Sequence, residues 1–241
     1  MSSMPLRRAA PMVFPAVGKH TATVLFAHGL GDTAAGWAHA VQFWRQDRRL
    51  NQVKFVLPNA PIRPITLNGG LQMPGWFDMR GMLSTPEINM ADVCRDAAGY
   101  LESQTYLDSL IQEEISAGTP ADRIVLGGFS QGGTVSVFAA LASPVKLAGA
   151  VGLSCFLDRE NPDLKRVVDQ DLDKSTPIFL GHGDKDDIVC LEYGKASEAT
   201  LKELGYPVTF KTYSGMGHSA TMSELQDVAA FLAARLPPQA S

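Results

Sequence analysis

The sequence predicts an α/β fold: a mostly parallel, doubly wound sheet with helices on both faces. Three observations point there. Apolar runs of strand length alternate with longer segments of helical period. Most of these runs lack polar alternation, which implies burial on both faces and therefore a parallel sheet. Strands that alternate with helices imply right-handed crossovers between parallel neighbours.

The elements follow in order. Residues 23–27 read as a buried strand, and 37–48 as a helix with Trp37, Val41 and Trp44 on one face. Residues 53–57 form a second strand. Pro58, Pro61 and Pro64 then forbid a regular ladder. The stretch 58–91, rich in Pro, Gly and Met, reads as a long irregular connection, a kind that is often functional. Residues 92–117 form a long helix, stopped by Gly118 and Pro120. Residues 123–127 are a strand, and 134–142 lie on the next helix. Strands at 150–153 and 177–180, a helix at 192–204, a strand at 208–213 and a helix from about 220 to 236 complete the chain, with Pro237 and Pro238 ending it. All 241 residues are read as one domain, with 1–20 partly irregular and 58–91 bordering the site. Ligands of such sheets bind outside the carboxyl ends of the strands. The chemistry is therefore expected just after Ala27, Gly127, Leu180 and Tyr213.

Composition narrows the function. Hydrophobic residues make up 45% of the chain and charged residues 19%, enough apolar material for a sizeable core. The net charge of −4 gives no electrostatic case for nucleic acid. Arg7 and Arg8, and Arg45, Arg48 and Arg49, read as solvated surface. The three cysteines, Cys94, Cys155 and Cys190, form neither a disulfide framework nor a metal spacing, and suit a reducing, cytoplasmic setting. No run approaches the ~18 apolar residues of a membrane span, and the start of the chain does not read as a signal peptide. Simple lipidation signals are absent. The histidines are scattered and no H-E-x-x-H occurs, so no metal is expected.

One motif carries chemistry. Gly128-Phe-Ser-Gln-Gly132 matches G-x-S-x-G, between a strand and a helix as that motif requires. A serine held on this corner, Ser130, is the candidate nucleophile of an α/β-hydrolase fold, and the following helix favours an anion beside it. A serine hydroxyl needs a base, and this fold orders its partners Ser, Asp or Glu, His. His218, in Gly215-Met-Gly-His-Ser219, is the only histidine downstream of the acid candidates. The acid is expected in Gly181-His-Gly-Asp-Lys-Asp-Asp-Ile188, where spacing leaves Asp184, Asp186 and Asp187 open. The glycine-rich loop His28-Gly-Leu-Gly-Asp32 offers backbone N–H groups toward an oxyanion, with the amide of Gln131 as second donor. It lacks the ending of a phosphate loop. His28 and His182 read as structural, and His20 and His39 as surface residues without partners.

With these stretches the sequence resembles the acyl-protein thioesterase family, in the phospholipase/carboxylesterase group of α/β hydrolases. The resemblance runs from about Val24 to Leu236. It rests also on Pro58-Asn-Ala-Pro-Ile-Arg-Pro64, Met73-Pro-Gly-Trp-Phe-Asp78, Leu153-Ser-Cys155 and Phe210-Lys-Thr-Tyr213. It implies a catalytic triad of Ser130, Asp186 and His218, and oxyanion donors on the backbone of Leu30 and Gln131. It also implies that Trp76 borders the acyl site, and that the substrates are fatty-acyl thioesters and esters, above all palmitoylated protein cysteines. Two departures stand out. Asp187 follows the acid where the family commonly has proline, and Met1-Ser-Ser-Met4 lacks the acylated cysteine of animal members.

The expected partners are therefore an acylated protein or lipid ester as substrate and at most a weak homodimer, with no nucleic acid, no transmembrane segment and no cofactor. Two other readings compete: a general carboxylesterase or lysophospholipase, and a non-catalytic receptor, against which the complete triad argues. Residues 58–90 carry Ile62, Ile65, Leu67, Leu71, Met73, Trp76, Phe77, Met79, Met82 and Leu83. The expectation is that much of this material lines an acyl groove, the alternative being a satellite core.

Overall fold

A computed structural model of the chain describes residues 7–94, 96–157 and 174–239. Its centre is a seven-stranded sheet in the order β1-β3-β2-β6-β7-β8-β9. The strands are β1 (Met12–Phe14), β2 (Ala22–Ala27), β3 (Val53–Leu57), β6 (Ile124–Phe129), β7 (Gly149–Leu153), β8 (Ile178–Gly183) and β9 (Val208–Tyr213). All neighbours pair in parallel except β1 with β3. The helices are α1 (Ala38–Trp44), α2 (Met90–Val93), α3 (Ala97–Ser116), α4 (Gln131–Ala142), α5 (Leu191–Glu203) and α6 (Met222–Arg235).

The period of two along the strands divides the core between the two faces. Val24 and Phe26 of β2 pack with Trp37, Val41 and Trp44 of the first helical segment and with Leu225, Val228 and Leu232 of α6. Leu25 and Ala27 face the other way, toward Leu107 and Ile111 of α3 and Phe138 of α4. α4 is buried from Gln131 to Leu141 because it lies over β6 and β7 and under α3. Among the described residues no helix is long and apolar enough to cross a membrane.

Four expectations change. The helix read over 37–48 divides into a 3-10 turn (Ala34–Trp37), α1 and a second 3-10 turn (Arg48–Leu50), because the Asp47 carboxylate takes the Arg49 amide and caps a new turn. The helix read over 92–117 is α2 followed by α3. The Asp96 carboxylate accepts the Gly99 amide at 2.9 Å and starts the longer helix afresh. The stretch 58–91 is not irregular throughout. β4 (Ile62–Ile65) and β5 (Leu71–Pro74) form an antiparallel hairpin turning through Gly69 and Gly70, both at positive φ. An isolated two-stranded ribbon has open edges, so Pro64, in register with Gln72, costs it little. Finally, the N-terminal stretch supplies β1, a short, largely exposed edge strand that sequence periodicity does not reveal.

Candidate active site

Ser130 stands between β6 and α4 with φ 52 and ψ −123, a strained conformation for a residue with a Cβ. Its amide donates to the Leu153 carbonyl at 2.7 Å, which fastens the corner to β7. The flanking glycines are required by close approach. A Cβ on Gly132 would overlap the carbonyl oxygens of Ala27 and His28, and one on Gly128 would overlap the Gly132 backbone.

His218 reaches this corner from the loop after β9. Its Nε2 lies 2.9 Å from Ser130 Oγ and its Nδ1 lies 2.8 Å from Asp186 Oδ2. The other Asp186 oxygen accepts the amides of Ile188 and Val189 at 3.0 and 2.9 Å. Burial pushes the Asp186 carboxyl up, but the His218 hydrogen bond and charge and the two amides outweigh it and hold the group below the usual carboxylate range. The other two aspartates take different places. Asp184 Oδ1 accepts the Gly215 amide at 2.6 Å and ties the acid loop to the loop that carries His218. Asp187 is exposed.

The remaining histidines behave in three ways. His182 donates from Nε2 to the Val189 carbonyl at 2.7 Å, so it braces the residue whose amide holds Asp186, and burial lowers its pKa. His28 accepts the Ala60 amide on Nε2 at 3.1 Å, which leaves Nδ1 to donate to the Gly29 carbonyl at 2.7 Å. Burial lowers its pKa too and keeps it neutral, tying the glycine-rich loop together as expected. His20 and His39 are exposed but not without partners, contrary to expectation. His20 bonds Thr23 Oγ1, while His39 donates to the Gly36 carbonyl and stacks on Trp37.

The amides proposed for an oxyanion sit on two braced segments. Gly31 donates to the Pro74 carbonyl at 2.8 Å, and the Leu30 amide beside it takes no backbone acceptor among the described residues. The Gln131 amide opens α4, where first-turn N–H groups have no helical acceptor. The Gln131 side chain is buried and acts as a clamp. Its Oε1 accepts the Trp76 amide and its Nε2 donates to the Phe77 carbonyl, both at 2.7 Å.

Comparison with known proteins gives the family. The phospholipase/carboxylesterase family model matches residues 9–236. The chain belongs to this family. Acyl-protein thioesterase 1 of Neurospora crassa is 49% identical over 96% of this chain and 94% of its own. The protein of the same name from Gibberella zeae is 48% identical over 96% and 98%. Among solved structures, Arabidopsis thaliana SOBER1 superposes with a TM-score of 0.80 at 30% identity, covering 89% of this chain and 99% of that one. Zea mays acyl-protein thioesterase 2 gives 0.73 at 29% identity, covering 94% and 98%. As a member of the phospholipase/carboxylesterase family, the chain is a serine hydrolase with the α/β-hydrolase fold.

In this family member a cavity of about 510 Å³ opens over Ser130 and His218. One wall is apolar: Leu67, Met79, Met82, Ile188 and Val189. The Leu67 amide donates to the Met79 carbonyl and the Leu83 amide to the Ile188 carbonyl, which joins that wall into one piece. Asp32, Trp37, His39 and Ser219 contribute a more polar stretch. The expected apolar loop therefore divides. Leu67, Met79 and Met82 line the cavity, while Ile65, Trp76, Phe77 and Leu83 are fully buried in the core.

Trp76 is the correction that matters most. It does not line the cavity; it is wholly buried, and its indole donates to the His28 carbonyl at 2.7 Å. A tryptophan N–H seeks a partner when buried, and the one it finds lies at the root of the glycine-rich loop. Ile188, His39 and the Gln131 side chain are site residues that sequence reasoning missed. The apolar Ile188-Val189 pair directly after three aspartates was the available signal for the first.

Proposed function

We propose that this chain hydrolyses fatty-acyl thioesters and oxygen esters, with acylated protein cysteines as the principal substrate. Ser130 is the nucleophile, His218 the base, Asp186 the acid, and the amides of Leu30 and Gln131 are the oxyanion donors. The observation that carries this reading is the unbroken line Asp186–His218–Ser130 ending at a cavity with an apolar wall. The names of the Neurospora crassa and Gibberella zeae relatives support the protein-thioester substrate.

In this mechanism His218 takes the Ser130 proton as Oγ attacks the acyl carbonyl. Each oxyanion donor is worth on the order of 3 kcal/mol in related chemistry. The thiol leaves with the proton from His218, and water repeats the attack on the acyl-enzyme. No cofactor enters any step. Asp186 holds the imidazole in the Nδ1–H tautomer and stabilises the imidazolium. The apolar wall binds the acyl chain at about 0.8 kcal/mol per buried methylene, which favours long chains over acetate. Three buried cysteines without disulfides support a reducing compartment, and we assign the protein to the cytoplasm on that basis.

The deciding experiment assays a p-nitrophenyl ester series and a palmitoyl-cysteine peptide in parallel. A kcat/KM that rises from acetyl to octanoyl, with palmitate released from the peptide, is the expected result. An enzyme fastest on acetate and inert toward the peptide is a general carboxylesterase instead.

A further inference from the structure

Among the described residues, Glu224 is the one carboxyl group with both oxygens buried and without a hydrogen-bond partner. It lies on the first turn of α6, the helix that follows the His218 loop. Thr221-Met-Ser-Glu224 has the spacing of a capping box, in which the glutamate would return to the threonine amide. Half of the box is made: Thr221 Oγ1 accepts the Glu224 amide at 3.5 Å. The other half is not. The carboxyl turns inward against Gly181 of β8, where any Cβ would overlap Oε1. Gly181 in turn accepts the amide of Ser154, whose hydroxyl is likewise buried and unpartnered. Glu224 thus fills the layer between the strand that leads to Asp186 and the helix that follows His218.

An ionised carboxylate in this place would be a buried, unpaired charge, which folding tolerates poorly. The neutral acid avoids that cost. The groups facing it are Asp227 on α6, Asp186 after β8, Cys155 after β7 and Tyr213 at the end of β9. Asp227 is already held by Lys211 Nζ at 2.7 Å and Tyr213 OH at 2.9 Å, so that lysine does not neutralise Glu224. Burial, with the Asp227 and Asp186 charges adding to it, pushes the Glu224 carboxyl up to about 8.

We propose that Glu224 is a positioning residue: held as the neutral acid, it seats the first turn of α6 on β8 and so keeps His218 aligned with Asp186, and release of its proton to solvent loosens that seat. This inference rests on the Ser130–His218–Asp186 reading.

The test compares the full-length chain with Glu224→Gln, a neutral near-isostere. Three quantities are followed: kcat/KM for p-nitrophenyl octanoate from pH 6 to 10, labelling of Ser130 by a fluorophosphonate, and urea unfolding at pH 5 and pH 9. The native carboxyl binds its proton more tightly than the unfolded one. Its contribution to stability is therefore full at low pH and is lost as pH rises from about 4.5 to about 8. Glu224→Gln is expected to unfold at higher urea than the parent at pH 9, with the gap narrowing at pH 5. The parent's kcat/KM is expected to fall about fivefold or more above pH 8, while Glu224→Gln stays within about twofold of its pH 7.5 value. The same alkaline fall in both proteins overturns the inference, as does an equal loss in the variant at every pH. A Glu224→Gln chain that fails to fold also overturns it, since the neutral form is what the fold is said to need. A parent chain that no fluorophosphonate labels at any pH overturns the catalytic reading instead.

Discussion

The indole nitrogen of Trp76 donates to the carbonyl of His28 at 2.7 Å, from a position with no solvent exposure. A residue expected at the edge of the acyl site is thus a brace for the loop that presents the Leu30 amide. Trp76→Phe keeps an aromatic side chain but removes the indole N–H, which takes this donor from the buried His28 carbonyl at about 1–3 kcal/mol, and the smaller ring adds a cavity cost. The expected result is a loss of kcat/KM by a similar factor for p-nitrophenyl acetate and octanoate, read as an unchanged ratio of the two. A selective loss on octanoate would return Trp76 to the acyl wall.

Ser130→Ala is expected to fold normally, to lose fluorophosphonate labelling and to retain a residual rate roughly 10³-fold above water, from the oxyanion donors and binding alone. Circular dichroism and steady-state turnover check both halves. Full activity in this variant ends the triad reading.

The three aspartates of the acid loop have separable roles. Asp186→Asn leaves His218 in the wrong tautomer, and a loss on the order of 10⁴ in kcat is expected. Asp187 is exposed and Asp187→Asn should change kcat/KM by less than about threefold. Asp184→Asn weakens the bond to the Gly215 amide, so its effect should appear first in thermal stability, at about 1 kcal/mol. An inactive Asp184→Asn or Asp187→Asn variant beside an active Asp186→Asn would move the acid role to that outer aspartate.

Leu67 and Met79 lie on the apolar wall, and their backbones are bonded to each other at 2.7 Å. Filling that wall with Leu67→Trp should shorten the preferred chain. Octanoate turnover is expected to fall about tenfold against acetate, the equivalent of two methylenes turned away at about 0.8 kcal/mol each. An unchanged chain-length profile would place the acyl chain along the other stretch of the cavity.

The sequence by itself determined the parallel sheet and the serine corner, and it singled out His218. Uninterrupted apolar runs such as Val24 to Ala27 have no alternative to burial on both faces. Ser130 is bound to its strand, turn and helix by neighbours within a few residues. His218 follows from chain order alone. The tertiary structure decided the rest, because each remaining question concerns groups far apart in the chain. Asp184, Asp186 and Asp187 are equivalent as a string; they differ only in which one meets His218 across the gap between two loops. The hairpin of β4 and β5 pairs residues around two glycines whose positive φ no periodicity announces. Trp76 is read from sequence as a site aromatic, and Glu224 as no more than one polar residue of the last helix. Burial against His28 and Gly181 gives them other work, since a polar group shut away from water is defined by the partner it finds or fails to find.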